Sequence, residues 1–128
     1  MRGILDTSVF IADEQQRQRA VASLPEEAAI SVVPLAELEL GVHLAETPEV
    51  RSRRLSTLRA VQTTYSALPI DEHVASTFAR IVADARREGR RPTVQDSWIA
   101  ATAAAHDVPV YAQDADFDDM PAIQVVRV

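Results

Sequence analysis

A chain of 128 residues with 47% hydrophobic and 25% charged residues is expected to form one domain, 1–128, with a genuine core. Its net charge of −6 argues against simple electrostatic binding of nucleic acid, and no apolar run approaches the roughly 18 residues that span a bilayer. There is no cysteine, which excludes disulfides and thiolate-held metals, and all 13 basic residues are arginine, which excludes P-loop chemistry. The start of the chain lacks the layout of a signal peptide, so the expected location is the cytoplasm.

The chain opens on Gly3-Ile4-Leu5-Asp6-Thr7-Ser8-Val9-Phe10, an apolar strand that ends in an acid and passes into a helix. Ile4 and Leu5 suit a strand buried on both faces, and Thr7 or Ser8 can cap the helix. That helix is expected from Val9 to about Leu24, ended by Pro25. Ala28 to Val33 reads as a second strand, with Pro34 at the first position of a helix through Val42. A further helix runs from about Pro48 to Tyr65, and Ser66 to Ile70 suits a short strand.

The clearest helical pattern is Asp71 to Glu88, where Val74, Phe78, Ile81, Val82 and Ala85 form one stripe. Asp71 can cap its start, and Gly89 closes it. Thr93 to His106 is an alanine-rich helix, Val108 to Ala112 a strand, Asp114 to Met120 a turn with a short helix, and Ile123 to Val128 a last strand. Strands alternating with helices predict an α/β fold with a central parallel sheet covered on both faces.

Four acids fall where such sheets place ligands, near strand ends and helix starts. Asp6 follows the first strand and Asp114 the fourth, while Glu37 and Asp96 stand in otherwise apolar helices. Each also has an ordinary structural role: a turn residue for Asp6, a first-turn helix acid for Glu37 and Asp96, a turn former or cap for Asp114 and Asp116. Gly41, one turn beyond Glu37, leaves space beside that carboxylate for an ion or another backbone. Ala100 and Ala103 share the face of Asp96 and allow close approach to the sheet, whereas Trp98 reads as a core anchor and Glu39 as a solvated or partner-facing charge. Carboxylates gathered together repel unless a cation neutralises them, and an all-oxygen set suits Mg2+ or Mn2+. Phosphodiester hydrolysis by metal-activated water is the reaction class that fits.

Leu5-Asp6-Thr7-Ser8-Val9, the Glu37-Leu38-x-x-Gly41 helix, Asp96-x-x-Ile99-Ala100-Ala101-Thr102-Ala103 and Asp114-Ala115-Asp116-Phe117 occur in order along the whole chain. Together they resemble the motifs of PIN-domain ribonucleases, in particular VapC toxins of bacterial toxin–antitoxin pairs. The resemblance implies a three-layer sandwich and a Mg2+- or Mn2+-dependent endoribonuclease. It assigns metal binding to Asp6, Glu37, Asp96 and Asp114, with Asp116 assisting or only capping the next helix. Ser8 matches a small polar position that can orient a water of the site, and helix capping is its other role. The family commonly has a hydroxyl residue two positions before the fourth acid; this chain has Ala112.

Arg90 and Arg91, in the loop before the Asp96 helix, are candidates for gripping RNA phosphates, whereas Arg86 and Arg87 suit a helix C-terminus. Arg51, Arg53 and Arg54 form either a second patch or a solvated helix face, and His43, His73 and His106 have no paired spacing that suggests chemistry. The resemblance further implies a cognate VapB-like antitoxin, an RNA substrate, a homodimer, and no direct DNA binding by this chain. The competing readings are a PIN-like module that binds RNA or protein without cutting, and a phosphatase or DNA nuclease built on the same acids.

Overall fold

The computed structural model describes residues 2–15, 24–118 and 120–128, and its strands deal their side chains alternately into two cores. Ile4, Val110 and Ala112 face one helical layer, and Leu5 and Tyr111 face the other, as the period of two in an extended chain requires. The strands are β1 (Arg2–Leu5), β2 (Glu27–Ser31), β3 (Ser66–Leu68), β4 (Val110–Ala112) and β5 (Val125–Arg127). All are parallel, in the order β3-β2-β1-β4-β5.

Helices α1 (Thr7–Glu14), α2 (Val32–His43) and α3 (Pro48–Thr64) close the Leu5 side with Val9, Phe10, Leu38, Val42, Leu58 and Val61. Helices α4 (Glu72–Arg87) and α5 (Val94–Ala105) close the Ile4 side with Val74, Ile81, Ile99 and three buried alanines, Ala100, Ala101 and Ala103. The small α5 face packs directly on the sheet, and Trp98 stacks on Phe78 of α4 with ring centroids 3.8 Å apart. The expected α/β sandwich with a parallel central sheet is the fold observed.

Several boundaries differ from the sequence reading. The second strand ends at Ser31, whose hydroxyl accepts the Val33 N–H and starts α2, so Pro34 is its third residue rather than its first. The first helix is described only to Glu14; the remainder of the stretch expected to be helical, residues 16–23, lies outside the described residues. Residues 114–118 form turns with no regular helix, held by Asp118 N–H to Ala115 O and by burial of Phe117. Asp71 does cap α4, and Gly89 takes a left-handed φ of 78° just beyond its end.

Chain order makes the central crevice. From β1 the chain steps outward through β2 to β3, then returns to build β4 and β5 on the other side. The carboxyl ends of β1 and β4 therefore lie side by side at the point where the order reverses, the place where open parallel sheets bind ligands.

Candidate active site

Pairing between β1 and β4 brings two acids to that crevice. Ile4 aligns with Val110 and Leu5 with Tyr111, and the ladder continues one step through Asp6 N–H to Tyr111 O at 2.9 Å. Asp6 is 5% exposed and caps α1, its carboxylate accepting the Ser8 N–H at 3.1 Å. Burial raises its pKa from 3.8 to about 6; hydrogen bonds from Ser8 oppose the rise, and repulsion from Asp114 and Asp96 adds to it.

Asp114 sits in a loop clamped from three sides. Ser8 Oγ accepts the Gln113 N–H at 3.0 Å, the Gln113 side chain reaches Val128 O at 3.0 Å, and Arg127 bonds both Gln113 O and Asp118. The Asp114 carboxylate in turn accepts the Asp116 N–H at 3.2 Å. Ala112 is fully buried in the core, so the loop's orientation is held by Ser8, Gln113 and Arg127 instead of by a hydroxyl at 112.

Asp96 lies in the first turn of α5, which Thr93 caps by accepting its N–H. Partial burial raises its pKa against a hydrogen bond from Thr93, with repulsion from Asp116, Glu37 and Asp114 adding to the rise. Asp116 is also raised, by desolvation first and then by Asp114. Glu37 stands in the second turn of α2, so its placement is not explained by the macrodipole at a helix start. Thr7 Oγ1 donates to Glu37 Oε1 at 2.6 Å.

Asp96 thus lies within electrostatic reach of Asp6, Glu37, Asp114 and Asp116, and Asp114 within reach of Asp6 and Asp116, while no arginine or histidine among the described residues forms an ion pair with any of the five. Among the described residues, no three carboxylates are already gathered closely enough to hold one ion. In donor chemistry the set suits a hard divalent cation: the donor atoms are all oxygen, one acid is buried, and no ion pair among the described residues relieves their repulsion.

The space expected beside Glu37 is used differently. Gly41 has Arg54 of α3 against it, and Arg54 Nη1 donates to Gly41 O at 2.8 Å, so the glycine serves helix packing rather than an ion. Arg53 likewise pairs with Glu14 of α1 at 3.3 Å. Arg90 and Arg91 line a cavity of about 290 Å³ together with Pro92, Asp116 and Met120, and Arg90 also pairs with Glu88 at 3.1 Å. Sequence reasoning missed Thr7, Gln113 and Arg127 as supports of the site. Only the adjacency of Thr7 and Ser8 to Asp6 offered a local signal, because the partners are 30 and 105 residues away.

The PIN domain family matches residues 3–123. The chain is 43% identical over 129 residues to Ribonuclease VapC5 of Mycobacterium tuberculosis, covering 98% of this chain and 95% of that one. It is 42% identical over 127 residues to Ribonuclease VapC4 of the same organism, covering 99% and 97%. A crystal structure of VapBC-5, a member of the VapBC family of toxin–antitoxin systems from M. tuberculosis, superposes with a TM-score of 0.89 at 42% identity, over 99% of this chain and 98% of that one. The chain belongs to the PIN-domain family, and within it to the VapC ribonucleases.

Proposed function

We propose that this chain is the toxin ribonuclease of a type II toxin–antitoxin pair, an endonuclease that hydrolyses RNA phosphodiester bonds with Mg2+ or Mn2+. Asp6, Glu37, Asp96 and Asp114 would hold the cation, with Asp116 in a weaker, auxiliary place. The observation that carries the reading is the buried Asp6 at the switch point, pushed up to about 6 and faced by Asp96 and Asp114, with no ion pair to any of the three among the described residues. A bound divalent ion would supply charge neutralisation at the phosphate and a lower pKa for the attacking water.

The chain's own residues do the positioning. Asp6 is fixed by the first turn of α1, Asp96 by the capped start of α5, and Asp114 by the Ser8–Gln113 clamp. Arg90 and Arg91 would orient RNA phosphates, a reading supported by the cavity they line together with Asp116. Hydrolysis with direct in-line attack leaves a 5′-phosphate and a 3′-hydroxyl and forms no covalent enzyme intermediate.

The protein partner is a VapB-like antitoxin, a reading supported by the 42% likeness to the VapBC-5 structure. Val32, Leu40 and Leu44, exposed at 37%, 57% and 66% on and just beyond α2, supply apolar surface for that partner or for a homodimer. No helix among the described residues is long and apolar enough to cross a membrane, and the cytoplasm is the proposed location.

The competing reading is a PIN-like module that binds without cutting, favoured by the absence, among the described residues, of three carboxylates already gathered around one point. Purified, antitoxin-free protein incubated with total cellular RNA, in Mg2+ or Mn2+ against EDTA, separates the two. Discrete metal-dependent fragments, lost in Asp96→Asn, are expected. Intact RNA with folded, metal-supplied protein would favour the binding module.

A further inference from the structure

The hydroxyl of Thr7 is not used as those of four other helical threonines are. Thr57, Thr63, Thr77 and Thr102 all turn back onto a backbone carbonyl four residues earlier in their own helices. Thr7 is the first residue of α1, so the carbonyl four residues before it belongs to β1. The capping task is also taken, because the Asp6 carboxylate accepts the Ser8 N–H. Its hydroxyl is left to cross to α2, where it meets Glu37 Oε1 at 2.6 Å, the range of a charge-assisted O–H···O⁻ bond.

A half-buried glutamate has rotatable bonds that one strong contact can still. We propose that Thr7 is a positioning residue for Glu37: it occupies Oε1 and leaves Oε2 as the oxygen presented to the divalent cation. This rests on the metal-nuclease reading above. Asp6, Thr7 and Ser8 then divide the work of one helix turn. The first is a ligand, the second orients the acid of α2, and the third clamps the loop that carries Asp114.

The test is Mn2+ binding without RNA, followed by calorimetry or by the spin-resonance signal of free Mn2+, in wild type, Thr7→Val and Thr7→Ser. Valine keeps the shape and removes the hydroxyl; its Mn2+ affinity is expected to fall about 10–100-fold, the usual effect of losing a ligand's supporting partner. Serine keeps the hydroxyl and should bind nearly as wild type does. In cleavage assays Thr7→Val should need more Mn2+ and recover much of its rate when the ion is saturating. Thr7→Val added to Glu37→Gln should weaken binding little beyond Glu37→Gln alone.

Wild-type Mn2+ affinity in Thr7→Val, with binding weakened in Glu37→Gln, would overturn the role of Thr7 while leaving the nuclease reading intact. A full additive loss in the double variant would overturn it as well. Failure of wild type to bind Mn2+ at all would remove the nuclease reading and this inference together. Thr7→Ala, which lacks both hydroxyl and bulk, repeats the comparison if valine disturbs folding.

Discussion

Asp6→Asn removes a charge that the fold carries at a cost, so it should stabilise the protein while abolishing cleavage. The residue is 5% exposed, and its pKa rises from 3.8 to about 6 chiefly through burial. Between those two values the native state keeps a proton that the unfolded chain has already lost. Stability therefore falls as pH rises from about 4 to about 6, and the deficit persists above that window. At about 1.4 kcal/mol per pH unit the gap corresponds to about 3 kcal/mol.

Asparagine keeps an oxygen that can accept the Ser8 N–H but adds an amide to bury, so the net gain expected at pH 7.5 is about 2 kcal/mol. For a chain of this size that is a rise in Tm of about 8 °C. Urea or thermal unfolding at pH 4 and pH 7.5, in EDTA to keep divalent ions out, measures it. The gain should be present at pH 7.5 and nearly gone at pH 4. A variant less stable than wild type at pH 7.5, or equally stabilised at both values, would refute the account of Asp6 as a charge held against burial.

Four further perturbations test the frame around the site. A Cβ on Gly3 would run into the buried ring of Tyr111, so Gly3→Ala should cost about 1–3 kcal/mol in urea unfolding. Ser8→Ala leaves the Gln113 N–H without its acceptor and should cost about 1–3 kcal/mol. It should also lower cleavage by loosening the Asp114 loop. Arg91→Ala should weaken RNA binding and reduce the slope of log affinity against log salt by about 1. Arg90→Ala should do less, since that guanidinium already pairs with Glu88.

Much of this protein is local information. The apolar strand before Asp6, the Val74–Phe78–Ile81–Ala85 stripe of α4 and the alanine face of α5 are short-range patterns, and each produced the element expected. The order of strands and helices was sufficient for a parallel sheet with two helical layers, because parallel neighbours need crossovers and the crossovers must cover the sheet. The acids were legible for the same reason, as charges at the ends of strands or inside apolar helices where packing alone would not select them.

What the sequence could not decide was which groups meet. Val32 and Val33 favour a strand by residue type while Ser31 is a good helix cap, and the Val33 N–H donating to the Ser31 hydroxyl resolves the conflict by starting α2 there. The space beside Gly41 belongs to Arg54 only because α3 packs on α2. The reach of Thr7 to Glu37 and of Ser8 to Gln113 spans 30 and 105 residues, distances over which no periodicity carries information. Residue types and their local spacing determined the elements and nominated the acids. The parallel pairing of β1 with β4, and the docking of α2 and α5 around it, decided that those acids share one crevice, because burial and repulsion act through space rather than along the chain.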